Sequence, residues 1–381
     1  MTQRFVNKVK VITYSFYENN LYDNETNGIL FKEFFYEDVP IIACRHQQIP
    51  PNMNLVLHNH QLYVLAQALL RAEKPDVIHV GHPMRVHEII WAAVDLAIPY
   101  VITLTDFFFL CPKINLMPGP TRLCSGPKNG EVCAVLCPEY NPDFIKDRLA
   151  KSKELLVKAK TITSPSKFVA NMFLKEFPEL EIQIVPHGIN YAHIKSNDHF
   201  YKQGNSITFG YLGNLIYHKG IHILISAFNK LSSSNIQLKI FGFGQDSFVQ
   251  QLEDMASDDK RITFEGTFKS ENLGEVFSQI DILVIPTLVY ETYSFVLHEA
   301  FACNVPVIGS NLGVMREKIH DDYNGYKFEP GDAFNLKNKM ELLIDNPQVI
   351  NELKSNIKKD LIVPRIEQEA YIYREIYRKN I

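Results

Sequence analysis

No run of about 18 apolar residues occurs in the chain, so no segment has the length that a membrane-crossing helix needs. The stretch from Met1 to Tyr17 lacks an apolar core of secretory-signal length, and its charges continue through Lys10. Excess positive charge is missing too. The formal net charge is -4, which excludes a global basic field for recruiting nucleic acid. Internal repeats and low-complexity tracts are absent, which excludes solenoid arrays and disordered linkers as the main architecture. Cysteines number only six, and none forms a Cys-x-x-Cys pair. These absences lead to the expectation of a cytoplasmic protein in a reducing compartment, where clustered cysteines suggest metal ligands before disulfides.

What is present is a chain of 381 residues, long enough for two domains of ordinary size. Hydrophobic residues make up 46% and charged residues 22%, the balance of a folded globular protein. Lys8–Thr13, Asp76–Val80 and Tyr100–Leu104 read as short β-branched strands. Between them, Leu62–Ala72 and Val86–Leu96 repeat apolar residues at helical spacing. The same rhythm resumes after residue 205. Strands are expected at Ser206–Gly210, Gln237–Phe241, Asp281–Ile285 and Pro306–Gly309, with a helix at Ile221–Leu231. Strand and helix alternating in this way imply parallel sheets covered on both faces. The expected fold is α/β, two Rossmann-like doubly wound domains facing a central cleft. Residues 1–192 form the first, the polar stretch 193–204 the linker, and 205–360 the second. The amphipathic end, within 361–381, packs back on the N-terminal domain. Open parallel sheets bind ligands beyond the carboxyl ends of their strands, so the cleft is the expected site.

The strongest chemical signal is the segment from Glu291 to Glu299, followed by Ala302-Cys303-Asn304-Val305-Pro306-Val307-Ile308. A strand ends near Pro286, a loop carries Glu291, and a helix starts near Ser294. First-turn amides of a helix have no intrahelical partner and sit at the positive end of its dipole, which suits a diphosphate. Glu299, just over one turn into the helix, can hydrogen-bond a ribose, while Glu291 faces what is attached to the diphosphate. An isolated pair of glutamates at this spacing is usually chance surface charge; the flanking apolar helix and strand tell against that here. A second signal is Gly210-Tyr211-Leu212-Gly213-Asn214, running on to Lys219-Gly220. It lies between a strand and a helix, so backbone and Lys219 can approach a phosphate. Gly242-Phe243-Gly244 is weaker, because it lacks the third glycine of a dinucleotide fingerprint.

These segments resemble glycosyltransferase family 4, of the GT-B fold. Pro75-Asp76-Val77-Ile78-His79, Ser164-Pro165-Ser166 and Pro186-His187-Gly188-Ile189 extend the likeness over nearly the whole chain in order. The resemblance implies a retaining transfer from a nucleotide-diphosphate sugar that requires no metal cofactor. Lys219 would bind the diphosphate together with Gly213 and Asn214, and the amides of Tyr293, Ser294 and Phe295 would hold phosphate and sugar oxygens. Glu291 would orient the sugar and Glu299 the ribose. Gly242, Gly244, Gly266 and Thr267 would flank the base, and Gly28, after the first strand, would approach the phosphates. UDP-glucose is the expected donor, with GDP-sugars as the alternative. The expected acceptor is a polysaccharide or lipid-linked oligosaccharide in envelope glycan synthesis, with peripheral contact at the inner membrane face.

Three positions depart from the family pattern. Asn214 stands where a cation is common, which removes one phosphate contact. Thr105-Asp106 stands where His-Asp is common, and threonine carries no proton at neutral pH. The first loop offers only Asn27-Gly28 in place of paired glycines. A degenerate binding module is therefore the competing reading, while a phosphorylase would need a pyridoxal lysine that is not apparent. Cys111, Cys124, Cys133 and Cys137, spaced thirteen, nine and four apart, fall in the loop 111–138. Four thiolates would close a structural zinc site; free thiols and disulfides are the alternatives. His79 and His82 either line the cleft or pack, and Cys303 reads as a small buried residue.

Overall fold

The computed structural model describes residues 8–381 apart from 52, 54, 56 and 58. The expectations for residues 1–7 lie outside it.

The N-terminal half runs β1 (Val11–Tyr14), β2 (Asn24–Thr26), β3 (Ile29–Tyr36), β4 (Val39–His46), α1 (His60–Glu73), β5 (Ile78–Val80), α2 (Glu88–Asp95) and β6 (Tyr100–Thr103). It continues through α3 (Glu131–Leu136), α4 (Pro142–Lys158), β7 (Thr161–Ser164), α5 (Lys167–Glu176) and β8 (Ile182–Ile184). Strands β5-β6-β7-β8 form a parallel sheet. Its strands are short and apolar because α-helices cover it: Val101, Ile102 and Ile162 are buried with Leu155, Val169 and Phe173.

The first part departs from a doubly wound domain. Strand β1 pairs in parallel with β4, and β2-β3-β4 is an antiparallel meander, giving a separate sheet of order β1-β4-β3-β2. Turn chemistry explains it. Asn27 (φ 50°) and Gly28 (φ 74°) join Thr26 to Ile29 as a two-residue hairpin turn that requires positive φ at both positions. Gly28 therefore lies in a hairpin and not in the loop that follows β1. Asn-Gly is the dipeptide that such a turn prefers, and here it is followed by the apolar run Ile29-Leu30-Phe31; the βα reading passed over it.

The C-terminal half runs β9 (Ile207–Leu212), α6 (Ile221–Phe228), β10 (Ile236–Phe241), α7 (Asp246–Ala256), β11 (Ile262–Gly266), α8 (Leu273–Phe277) and β12 (Ile282–Ile285). It ends with α9 (Phe295–Ala302), β13 (Val307–Ser310), α10 (Gly313–Lys318), β14 (Gly325–Phe328), α11 (Ala333–Asp345), α12 (Gln348–Asp360) and α13 (Ile366–Asn380). Its six parallel strands lie in the order β11-β10-β9-β12-β13-β14. The chain starts in the middle, winds outward to β11, then returns beside β9 and winds the other way. That reversal between β9 and β12 is the topological switch point of a Rossmann sheet, where a ligand crevice opens at the carboxyl ends of the strands. The core is close-packed on both faces, with Phe209, Phe228, Leu238 and Met340 on one side and Phe277, Leu297 and Met315 on the other.

The segment 193–204 is laced to the C-terminal half. Buried Asn197 donates its side-chain amide to the carbonyls of Phe277 and Ile280, both at 3.0 Å. Buried Lys354 donates to Asn197 Oδ1 at 3.1 Å and to His199 O at 2.8 Å. A lysine this buried is tolerated because carbonyl and amide oxygens replace its water. The chain then crosses back. Helix α13 lies on the N-terminal sheet, with Tyr373 and Ile376 buried against Val101 and Val185.

Candidate active site

Two loops meet at the switch point. After β9 the chain passes Gly213 and Asn214, both exposed, into a short turn, Tyr217–Lys219, that ends at Gly220. After β12 it passes Thr287 to Glu291 and reaches α9. Lys219 Nζ donates to Glu291 Oε1 at 2.5 Å, and the buried Thr287 hydroxyl donates to the same oxygen at 3.4 Å. A backbone bond holds the loops together, Leu288 N donating to His218 O at 2.8 Å, and Val314 N of α10 donates to Glu291 O at 3.2 Å.

The loop after β10 lies on the first of these. Gly213 N donates to Phe241 O at 3.1 Å and Leu215 N to Phe243 O at 2.7 Å. A Cβ on Gly242 (φ 152°) would come within 1.9 Å of Gly213 O, and one on Gly244 within 2.2 Å of Leu215 O. These two glycines are thus accounted for by loop stacking, a reason that sequence spacing did not supply. Gly242 N donates to Gly266 O at 2.8 Å, so Gly266 and exposed Thr267 extend the same rim. Tyr211 OH donates to Asn214 O at 2.8 Å and fixes the backbone there.

Helix α9 starts from Ser294 in the left-handed region (φ 61°), with no side-chain cap on its first amides. Those amides are donors left for a ligand, at the positive end of the dipole. Phe295 is exposed, whereas Tyr293 is buried, its hydroxyl donating to His187 O and its ring stacked 3.9 Å from His298. Burial holds His298 low, at about 4, so it is neutral, with Nδ1 3.0 Å from Ser294 O. Glu299 is half-buried within α9, and burial pushes its carboxyl above the usual glutamate range.

The N-terminal half also reaches this site through α5. Ser166, which caps α5, donates its hydroxyl to Thr292 O at 2.7 Å. Phe168 N donates to Glu317 Oε2 at 2.8 Å. The Phe168 and Tyr290 rings lie 5.1 Å apart. The Ser164-Pro165-Ser166 motif thus ties the N-terminal sheet to the residue after Glu291. Thr105 and Asp106 follow β6. The Thr105 hydroxyl donates to Gly81 O at 2.7 Å, whereas Asp106 Oδ1 accepts from Phe108 N at 2.7 Å. His82, left open between two readings by the sequence, lies 2.7 Å from Asp106 through Nε2, and that bond raises its pKa above the ordinary histidine value. A histidine–aspartate pair is therefore assembled in space from two strand ends, although Thr105 breaks it in sequence. His79 takes a structural part, 2.7 Å from Thr103 Oγ1 and 2.6 Å from Tyr377 OH.

The four loop cysteines line one small cavity with Leu110, Met117 and Tyr140. All six cysteines are unpaired and buried, Cys303 among them. Burial pushes Cys133 up to about 12 and raises Cys111 and Cys137. Among the described residues no three His, Cys, Asp or Glu side chains are placed to hold one metal ion. The thiols do not fit a zinc set as arranged; they pack as small apolar side chains.

No described helix is long and apolar enough to cross a membrane. Residues 8–193 match the model described as Glycosyltransferase Family 4, and residues 195–360 the model described as Glycosyl transferases group 1. An uncharacterized glycosyltransferase of Methanocaldococcus jannaschii is 28% identical over 45% of this chain and 43% of its own. The lipopolysaccharide 1,2-N-acetylglucosaminetransferase of Salmonella typhimurium is 24% identical over 51% of this chain and 56% of its own. The chain thus spans about half the length of the curated relatives it matches. Among solved structures, Anabaena HepE in complex with UDP and glucose superposes with a TM-score of 0.64 at 17% identity, covering 89% of this chain and 86% of that one. Sucrose-phosphate synthase of Thermosynechococcus elongatus gives 0.65 at 18% identity, covering 93% and 86%. With the two models matching consecutive halves of the chain and the architecture shared with these structures, the chain belongs to the family 4 glycosyltransferases of GT-B fold.

Proposed function

We propose that the chain transfers a hexosyl group, from UDP-glucose in the leading reading, to a polysaccharide or lipid-linked oligosaccharide in glycan synthesis. The observation that carries this is the meeting of Lys219 and Glu291 at the switch point, beside the uncapped amino end of α9. A diphosphate brings more negative charge than the single Glu291 carboxylate, so it competes for Lys219 and draws on the α9 amides. Glu291, freed from part of its ion pair, is then positioned to accept hydrogen bonds from the sugar. Glu299 holds the ribose, and Gly242 to Gly244 with Gly266 and Thr267 border the base. Lys219 and α9 supply the positive charge, so the reading requires no resident metal.

In the retaining course the bond from the anomeric carbon to the leaving phosphate oxygen breaks as an acceptor hydroxyl attacks the same face. The hydroxyl proton passes to the leaving oxygen, and the site stabilises an oxocarbenium-like sugar and a growing diphosphate charge. In this reading His82 and Asp106 are the N-terminal half's contribution, a pair able to hold a proton. Asn214 and Thr105 favour a second reading, a nucleotide-sugar-binding module without transfer. Incubation with UDP-glucose and with GDP-sugars, followed by assay of nucleotide release, separates them: steady release from one donor supports transfer, and binding without release supports the module. Work at the inner face of a membrane belongs to the same proposal; co-sedimentation with vesicles at low salt checks it.

A further inference from the structure

Beside the donor crevice the two halves enclose a second cavity of about 750 Å³, within the range of pockets that enclose organic ligands. Phe168, Asn171 and Lys175 on α5 form one wall; Tyr290, Arg316 on α10 and Glu329 form the other. The cavity also reaches Ser125 in the cysteine-bearing loop. Its wall residue Tyr290 directly precedes Glu291, and the α10 backbone of that wall bonds to Glu291 O.

The lining has a mixed character that selects among ligand classes. The Phe168 and Tyr290 rings, tilted 43° to one another, offer flat apolar faces. Around them stand two amides, two cations and a carboxylate, which suit neither an acyl chain nor a polyanion. Arg316 and Glu329 are both tied to Asn311, through bonds of 2.8 Å to its carbonyl and 3.1 Å from its amide. Lys175 makes a weak contact with the Met172 sulfur, at 4.0 Å. Exposed Asn171 and Lys175 are thus the groups most available for ligand hydroxyls. A pyranose ring presents the matching surfaces, an apolar C–H face and a rim of hydroxyls.

We propose that this cavity is the acceptor subsite, taking a neutral oligosaccharide with one ring on Tyr290 and Phe168 and its hydroxyls held by Asn171 and Lys175. The inference rests on the donor reading above. The full chain is applied to an array of di- to tetrasaccharides as wild type, Asn171→Trp and Lys175→Ala, and UDP and GDP are titrated into all three. The expected result is sugar binding by the wild type, weakened by roughly tenfold or more when the indole of the Asn171→Trp variant fills the cavity, the equivalent of one lost contact group. Lys175→Ala should weaken it less. Nucleotide binding and thermal unfolding should stay unchanged in both variants. Sugar binding indifferent to both substitutions would overturn the subsite, as would a wild type that binds nucleotide and no sugar. Loss of nucleotide binding in the wild type itself would instead strike the donor reading, and the array result would still decide the cavity.

Discussion

A lysine ammonium 2.5 Å from a carboxylate, on side chains that are partly buried, is the natural resting state of two opposite charges in a crevice. Its use lies in what can displace it. In the proposed reading, replacing Glu291 with alanine removes the group that orients the sugar and frees Lys219 from its ion pair. Transfer should fall by about 100-fold or more, the range of a lost catalytic group, while nucleotide binding holds or tightens. A Glu291→Ala enzyme with full transfer rate would remove that residue from the chemistry. His298 gives a second residue-scale expectation. Its folded pKa lies near 4, held down first by burial, below the unfolded value of about 6.5. The unfolded chain therefore binds the proton first as pH falls. The stabilisation is present above about 6.5 and is lost between there and about 4, amounting to at most about 3 kcal/mol. Urea unfolding of wild type and His298→Asn at pH 7 and pH 5 measures it: the gap between them should narrow at pH 5, and a constant gap would contradict the assignment.

At the scale of elements, the crevice proposed to take the donor is a stack of loops on the carboxyl ends of β9, β10, β11 and β12. Gly242 permits that stacking, since any Cβ there meets the Gly213 carbonyl. Gly242→Ala should cost about 1–3 kcal/mol from backbone strain alone, plus whatever the forced loop shift adds. Gly266→Ala, whose Cβ would meet open space at φ 71°, should cost less. Chemical denaturation ranks the two; equal costs would mean that loop stacking contributes little. The alternation of apolar strands and helices made the C-terminal sheet legible in the sequence, and Lys219 and Glu291, singled out there, meet at its switch point. The N-terminal meander was missed because the βα expectation was carried across residues 24–46, where the Asn27-Gly28 turn and strand alternation point to hairpins. The partnership of His82 with Asp106 was illegible for another reason. It joins two strand ends through tertiary structure, with no sequence spacing to announce it.

At the scale of the molecule, the halves are stitched near the site by a crossing of two strand-like segments. Ile189 N donates to Pro364 O at 2.9 Å, and Ile366 N returns a bond to Ile189 O at 3.1 Å. Glu369 on α13 accepts from Gly188 N at 2.8 Å and lies 2.8 Å from His187 Nδ1. His187 in turn stacks on Phe295 at the start of α9. Helix α13 thus links the N-terminal sheet to the end of α9 where the diphosphate is proposed to sit. Glu369→Ala leaves the amide of buried Gly188 without its acceptor and should lower stability by about 1–3 kcal/mol, read as a lower melting temperature; an unchanged one would show that the crossing is held by its backbone bonds. The most direct test of the donor crevice is calorimetric titration of UDP, GDP and ADP, without added metal, into wild type and Lys219→Ala. One nucleotide should bind the wild type and bind the variant about 10- to 100-fold more weakly, the worth of a charge-assisted contact. Equal binding to both, or no binding of any nucleotide to the wild type, would contradict a diphosphate site at Lys219 and α9.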